Sequence, residues 1–255
     1  MVNLGTANSF GLLGGTVSNT GTSVVTGNVG VNVAGTITGF NPTGTTVGGS
    51  VIAPGSAFST NAYNDFVNAF NAAKLLPSTQ SYNDLTIDRT FLGNNVYTFT
   101  LTNITTTTGI HLTFDAQNDP SEVFVIRTDG FFTENGALTF ILQNQAQANH
   151  IFWIVGTDAT ISVGSSGKIV WEGDILAGSS FTMSAASGGS GTLTGDIHGC
   201  VFSETANTLA GTTNVNGCSG VAGVPEPGSF GLVSLAGLLG FLAWRKGQAL
   251  HRSPQ

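Results

Sequence analysis

Three stretches of the chain, 123–142, 151–172 and 174–195, repeat one scheme when aligned on their apolar residues. Each opens with an apolar run: Val123-Phe-Val-Ile126, Ile151-Phe-Trp-Ile154 and Asp174-Ile-Leu-Ala177. A run carrying Thr or Ser at alternate positions follows: Phe132-Thr-Glu134, Ala159-Thr-Ile-Ser-Val163 and Phe181-Thr-Met-Ser184. A third short run closes the unit: Leu138-Thr-Phe-Ile-Leu142, Ile169-Val-Trp171 and Thr192-Leu-Thr194. A further copy reads upstream as Val96-Tyr-Thr-Phe99, Ile104-Thr-Thr-Thr107 and Ile110-His-Leu-Thr-Phe114. A repeat of about two dozen residues holding three short strands is one coil of a β-solenoid, whose units bury a core only by stacking. Stacking sets equivalent side chains in ranks, so one Thr/Ser pair per coil becomes a flat hydroxyl surface.

The side-chain pattern assigns faces. Val123–Ile126 and Ile151–Ile154 are apolar at every position, so both faces of these strands are expected to be buried. In the second strands Ile161, Val163, Phe181 and Met183 point inward, and Thr160, Ser162, Thr182 and Ser184 outward. Short runs at 4–57 also read as strands between Gly and Asn turns: Gly11-Leu-Leu-Gly-Gly-Thr-Val17, Ser23-Val-Val-Thr26, Gly35-Thr-Ile-Thr-Gly39 and Gly49-Ser-Val-Ile-Ala53. One segment breaks the pattern. Ala62, Tyr63, Phe66, Val67, Ala69, Phe70 and Ala73 recur at helical spacing, which predicts a helix over about 61–76, closed by Pro77. Thr60 or Asn61 is the expected cap, with Asp65 in the first turn. An amphipathic helix in a β chain needs a β surface to lie on, and the first strand of each coil supplies it.

Charged residues make up 8% of the chain, against about 25% in a typical globular domain. Disorder is excluded by a 40% hydrophobic content that includes 17 Phe. A formal charge of −7 with seven Lys and Arg leaves no basic stripe to neutralise phosphates, which argues against nucleic acid as a partner. Cys200 and Cys218 lie in no Cys-x-x-Cys or Cys/His spacing, so no metal is expected. They are either two buried thiols or, as preferred here, a disulfide pinning the end of the solenoid in an oxidising compartment.

The C-terminal tail has its own grammar. Val224-Pro-Glu-Pro-Gly228 precedes Ser229–Trp244, which holds no charge, and Arg245-Lys246 follows. The apolar run is short for a span of about 17–25 residues, and the basic pair keeps the far end cytoplasmic. This order resembles the bacterial PEP-type sorting signal, with Pro225, Glu226 and Pro227 as its motif. The resemblance implies an exosortase-like membrane protease as partner, the membrane itself, and export to the cell surface or exterior. An ordinary membrane anchor is the alternative. The expected divisions are a folded domain at 1–218, a linker at 219–228, a hydrophobic segment with basic stop at 229–246 and a cytoplasmic tail at 247–255. Export calls for a secretion signal, which Met1-Val-Asn-Leu-Gly5 does not resemble, so a trimmed chain or a misplaced start is inferred.

The whole pattern resembles the microbial ice-binding family. The resemblance rests on Leu4-Gly-Thr-Ala-Asn-Ser-Phe10, Thr16-Val-Ser-Asn-Thr-Gly21, Thr26-Gly-Asn-Val-Gly-Val31, Ile37-Thr-Gly39, Ala148-Asn-His-Ile-Phe-Trp153, Gly173-Asp-Ile-Leu-Ala177 and Gly191–Gly195, ordered around a single helix. It implies an all-β fold: a right-handed, discontinuous β-solenoid with three short strands per coil and one long helix alongside, its N-terminal segment adding coils at one end. The connection 41–60 is too short for the capping subdomain that many relatives insert. The resemblance further implies adsorption to an ice crystal surface, as antifreeze or inhibitor of recrystallisation, by a chain expected to be monomeric and without cofactor. The candidate face is Thr133, Thr160, Ser162, Thr182 and Ser184, extended by Thr105, Thr16 and Ser18. Thr and Ser merely filling exposed strand positions is the plainer reading, and a cell-surface adhesin or matrix protein is the alternative function. Catalysis is not expected. Asp174 and Asp196 occupy equivalent coil positions and are candidates to stack as a pair, Asp196 and His198 share one side of a strand, and Asp115 and Asp119 share a turn. Each reads more simply as a turn or strand-end residue.

Overall fold

The computed structural model describes residues 2–40, 46–106, 109–134, 138–163, 168–185 and 194–218. Every strand pairing in it is parallel. The largest sheet runs Asn28–Val31, Phe10–Gly14, Val201–Ser203, Asp174–Ala177, Ile151–Val155, Phe124–Thr128, Asn95–Phe99, Gln80–Tyr82. A second sheet runs Asn103–Thr105, Phe131–Glu134, Ala159–Val163, Ser180–Ala185, Ala206–Leu209, Thr16–Asn19, Ile37–Thr38. Two smaller sheets complete the wall. One is Lys168–Glu172, Thr194–His198, Thr212–Val215, Ser23–Val25 and Thr46–Val47; the other is Leu138–Gln143, Ile110–Asp115 and Arg89–Leu92.

Successive strands of the chain pass from sheet to sheet, and each pairs with its counterpart in the next repeat. Trp153 stands beside Ile175, Thr160 beside Thr182 and Trp171 beside Ile197. The order along the sheets is not the order along the chain. Leu12 pairs with Val201, Ser18 with Thr208 and Ser23 with Thr213, so the first strands of the chain extend the stack where its last strands end.

The helix, α1 at Ala57–Lys74, makes this arrangement possible. Its Ser59 hydroxyl donates to Val31 O at 2.6 Å on one edge strand of the large sheet. At its other end the Arg127 guanidinium donates to Lys74 O at 2.7 Å and Leu76 O at 2.8 Å. Eighteen residues rise about 27 Å, and the five strand spacings from Asn28–Val31 to Phe124–Thr128 cover about 24 Å. The helix is therefore as long as the stack it must climb.

Two cores follow from strands that are apolar on both faces. Inside the wall lie Phe114, Phe124, Ile126, Phe132, Trp153, Ile161, Trp171 and Met183. Between the large sheet and α1 lie Phe66, Phe70, Val125, Phe152, Ile154, Leu176 and Phe202. At the corner between the first and second strands the backbones approach closely. A Cβ at Gly130, Gly156 or Gly178 would strike the carbonyl of Thr102, Asp129 or Gly156 respectively.

Several local expectations need correction. The helix starts at Ala57 instead of about residue 61, its N-cap is Ser56 without a side-chain cap bond, and it ends at Lys74. Asp65 is not in the first turn; its carboxylate accepts from Thr6 N at 2.7 Å and ties down the N-terminal segment. The run Gly11–Val17 is split between Phe10–Gly14 and Thr16–Asn19, which join different sheets. Gly49–Ala53 contributes only an isolated bridge from Val51 to Val29. In the 174–195 repeat a strand runs over Thr194–His198, and Thr192 and Leu193 of the expected closing strand lie outside the described residues. Asp174 and Asp196 do not stack: Asp174 is buried in the large sheet beside Phe152, whereas Asp196 pairs with Val170 and Asn214 in a different sheet. Cys200 and Cys218 are joined in a disulfide. The sorting motif at Pro225, Glu226 and Pro227 and the hydrophobic run lie outside the described residues. Among the described residues, no helix is long and apolar enough to cross a membrane.

Candidate functional site

The second sheet presents one face to the interior and one to solvent. Inward go Ile104, Phe132, Ile161, Met183, Leu209 and Val17, all buried. Outward, the strand pairings set one residue per strand in a continuous row: Thr105, Thr133, Thr160, Thr182, Thr208, Ser18 and Thr38. Every strand of the seven contributes a hydroxyl to this row. At about 4.8 Å between strands the row is about 29 Å long.

Five of the eight candidate residues, Thr105, Thr133, Thr160, Thr182 and Ser18, stand in it. Ser162 and Ser184 form a shorter parallel row two residues along, their hydroxyl oxygens 3.2 Å apart. Thr16 stands in the row on the other side, aligned with Ala206 and Ser180, where the run of hydroxyls is broken. Thr208 and Thr38 belong to the central row and were missed by the repeat alignment. A Thr immediately before buried Leu209 was the available signal for the first of them.

The row is chemically uniform. Ser18 Oγ donates to Thr208 Oγ1 at 3.3 Å. Among the described residues the hydroxyls of Thr105, Thr133, Thr160 and Thr182 meet no protein partner and are left to water. No outward position on these seven strands carries a charge. Glu134, the one acid on them, is turned inside, where its carboxylate accepts from Leu138 N at 3.1 Å. β-Branched Thr is stiff about its first side-chain torsion, and the neighbours on either side hold it upright.

The opposite wall is different. His198 Nδ1 lies 2.9 Å from Glu172 Oε1, and its Nε2 lies 3.4 Å from Asp196 Oδ2. Lys168 stands exposed on the same strand as Glu172. Burial pushes the Glu172 carboxyl up from its usual range, partly offset by His198. Asp115 is held below the usual range by bonds from the Asn144 side chain and Gln117 N, and Asp119 by Ser121, as turn residues are.

Residues 12–216 match the family model described as Ice-binding-like. The chain belongs to this family. The match spans every strand of the hydroxyl face. An ice-binding protein of Nostoc sp. (strain HG1) is 31% identical over 249 residues, which is 95% of this chain and 86% of that protein. Among solved structures, an ice-binding protein from the Antarctic ascomycete Antarctomyces psychrotrophicus superposes with a TM-score of 0.69 at 30% identity, covering 84% of this chain and 98% of that one. A glycosylated ice-binding protein from an Arctic yeast shares the fold at 22% identity, with a TM-score of 0.65 over 89% of this chain and 96% of that one. Residues 223–246 match the PEP-CTERM protein-sorting motif, which contains Pro225, Glu226 and Pro227. That motif marks the chain for export and cell-surface sorting.

Proposed function

We propose that this member of the ice-binding family adsorbs to ice through the second sheet, with the row from Thr105 to Thr38 as its contact line. The observation that carries the reading is the register: seven hydroxyl residues, one per strand, across the whole sheet. Each hydroxyl anchors a water, and each Thr methyl gives water a surface to order around. Strand spacings of about 4.8 Å are of the order found between waters on ice planes. Many weakly held, already ordered waters let the face freeze onto a crystal. Ice then advances only between adsorbed molecules, its front curves, and the local freezing point falls. Charged groups would hold water too strongly and in the wrong geometry, and the face has none at its outward positions.

The same reading takes the winding as right-handed with three strands per coil, the acting unit as a monomeric domain at 1–218, and the remainder as linker, hydrophobic segment and short tail. Thermal hysteresis and recrystallisation inhibition at micromolar protein are the test. Thr160→Tyr and Thr182→Tyr should each lose most of both activities while keeping the wild-type circular dichroism. Full activity in both variants would assign the contact to another face.

The sorting motif favours a second, compatible role. A cell-surface ice-binding domain held by its tail would fix a cell to ice. Cells carrying the intact chain should adhere to ice, and removal of 219–255 should move the protein to the medium and end adhesion.

A further inference from the structure

Asp174 begins its strand in the middle of the large sheet, where its surroundings are apolar. Phe152 stands across from it in the pairing, and on the other side Cys200 N donates to its Oδ1 at 2.9 Å. The side chain is fully buried, and Oδ2 has no hydrogen-bond partner among the described residues. A carboxylate oxygen of Asp174 and the sulfurs of Cys200 and Cys218 lie within 4.8 Å of one another. Burial drives the carboxyl up to about 7, the bond from Cys200 N pulling only partly against it. Neither the hydroxyl face nor the apolar seam under α1 requires an acid here. Burying one without a full set of partners is costly.

We propose that Asp174 is the proton donor and acceptor of a thiol-reactive disulfide, Cys200–Cys218, whose substrates are small thiols and dithiols. Cys200 is sealed and Cys218 half-buried, so an incoming thiolate reaches the Cys218 sulfur. The attack forms a mixed disulfide on Cys218 and breaks the Cys200–Cys218 bond, with the electron pair leaving on the Cys200 sulfur. The neutral Asp174 carboxyl passes its proton to that sulfur, giving a Cys200 thiol and an Asp174 carboxylate that takes a proton back from water. The second thiolate of a dithiol then attacks the mixed disulfide and departs as a cyclic disulfide. Cys218 is released and protonated by water, and the protein has gained two electrons and two protons. Oxidation runs the same path in reverse, with the carboxylate accepting the Cys200 proton.

Among the described residues, no other acid or histidine joins Asp174 beside the two sulfurs. The strands on either side of Asp174, Ile151–Val155 and Val201–Ser203, carry no ionisable side chain. On α1, Asp65 is turned to Thr6, Tyr63 donates to Glu204 O, and Lys74 lies over the Phe70 ring. His150 ends the 3-10 turn packed against the strand and is the group to be distinguished.

The test is the rate at which dithiothreitol reduces the purified full chain, followed by alkylation and mass spectrometry and divided by the concentration of attacking thiolate. In the wild type this quotient should fall about tenfold or more as pH rises through the Asp174 transition. Asp174→Asn should hold the low value at every pH, and His150→Gln should keep the wild-type profile. A flat wild-type quotient, an Asp174→Asn variant that still falls, or a His150→Gln variant that no longer does would each overturn the assignment. If Asp174→Asn fails to fold, the wild type and His150→Gln decide between them.

Discussion

Thr182 pairs with Thr160 on one side and Thr208 on the other, midway along the central row. A tyrosine ring there would stand above the plane and lift the neighbouring hydroxyls off any flat surface they meet. Thr208→Tyr should cost as much activity as Thr182→Tyr, because the two share the row. Thr16→Tyr should cost clearly less, since its own row is already interrupted by Ala206. Thermal hysteresis of the three variants side by side checks the ranking. Asp174 makes a residue-scale prediction of a different kind. Its carboxyl is held at about 7 in the fold, against 3.8 ordinarily. The folded chain therefore binds more protons than the unfolded chain between those values. Stability fully present below about pH 4 is lost as pH rises through 7, on the order of 4 kcal/mol at about 1.36 kcal/mol per pH unit. Asp174→Asn should remove that decline, which calorimetry from about pH 4 to 8 would show.

The element that holds the stack is α1. Phe66 is fully buried and meets Phe202 edge-on at 5.6 Å and Tyr63 at 5.9 Å. Phe66→Ala should destabilise the domain by about 3–5 kcal/mol, measured by denaturant unfolding. The helix and the second strands were legible in the sequence because their signals are local: a 3.6-residue period in one, strict alternation around Ile161 and Met183 in the others. Where alternation fails, so does the reading. The strand Ala206–Leu209 carries buried Asn207 at an inward position, its side-chain amide donating to Leu13 O at 2.8 Å, and so lacks the full apolar alternation of the other second strands. Ile37–Thr38 is too short to show any period. The first turn of α1 lies ahead of the apolar spacing that begins at Ala62, and its Ser59 gives its hydroxyl to Val31 O, far away in sequence.

At the scale of the molecule, the least legible feature is the join between the first and last strands. Pairs such as Ser18 with Thr208 have no local signature; only the family resemblance implied that the N-terminal coils sit together at one end. The Cys200–Cys218 bond closes a stretch of 18 positions around the strands that make this join. Cys218→Ser should therefore lower stability by about 2–4 kcal/mol, read as a shift in the unfolding midpoint without loss of β circular dichroism.

The join also sets a timetable. Of the strands before residue 48, the first three, Phe10–Gly14, Thr16–Asn19 and Ser23–Val25, have partners between residues 201 and 215. A ribosome working at about 5–20 residues per second needs on the order of 8–30 s to bridge that gap. Until then the opening strands can pair only with one another, Phe10–Gly14 with Asn28–Val31, Thr16–Asn19 with Ile37–Thr38 and Ser23–Val25 with Thr46–Val47, and the stack cannot close until the final winding has been made. Such a polypeptide leaves the ribosome still threadable, which is the state a translocation pore demands of a cargo bound for the outside.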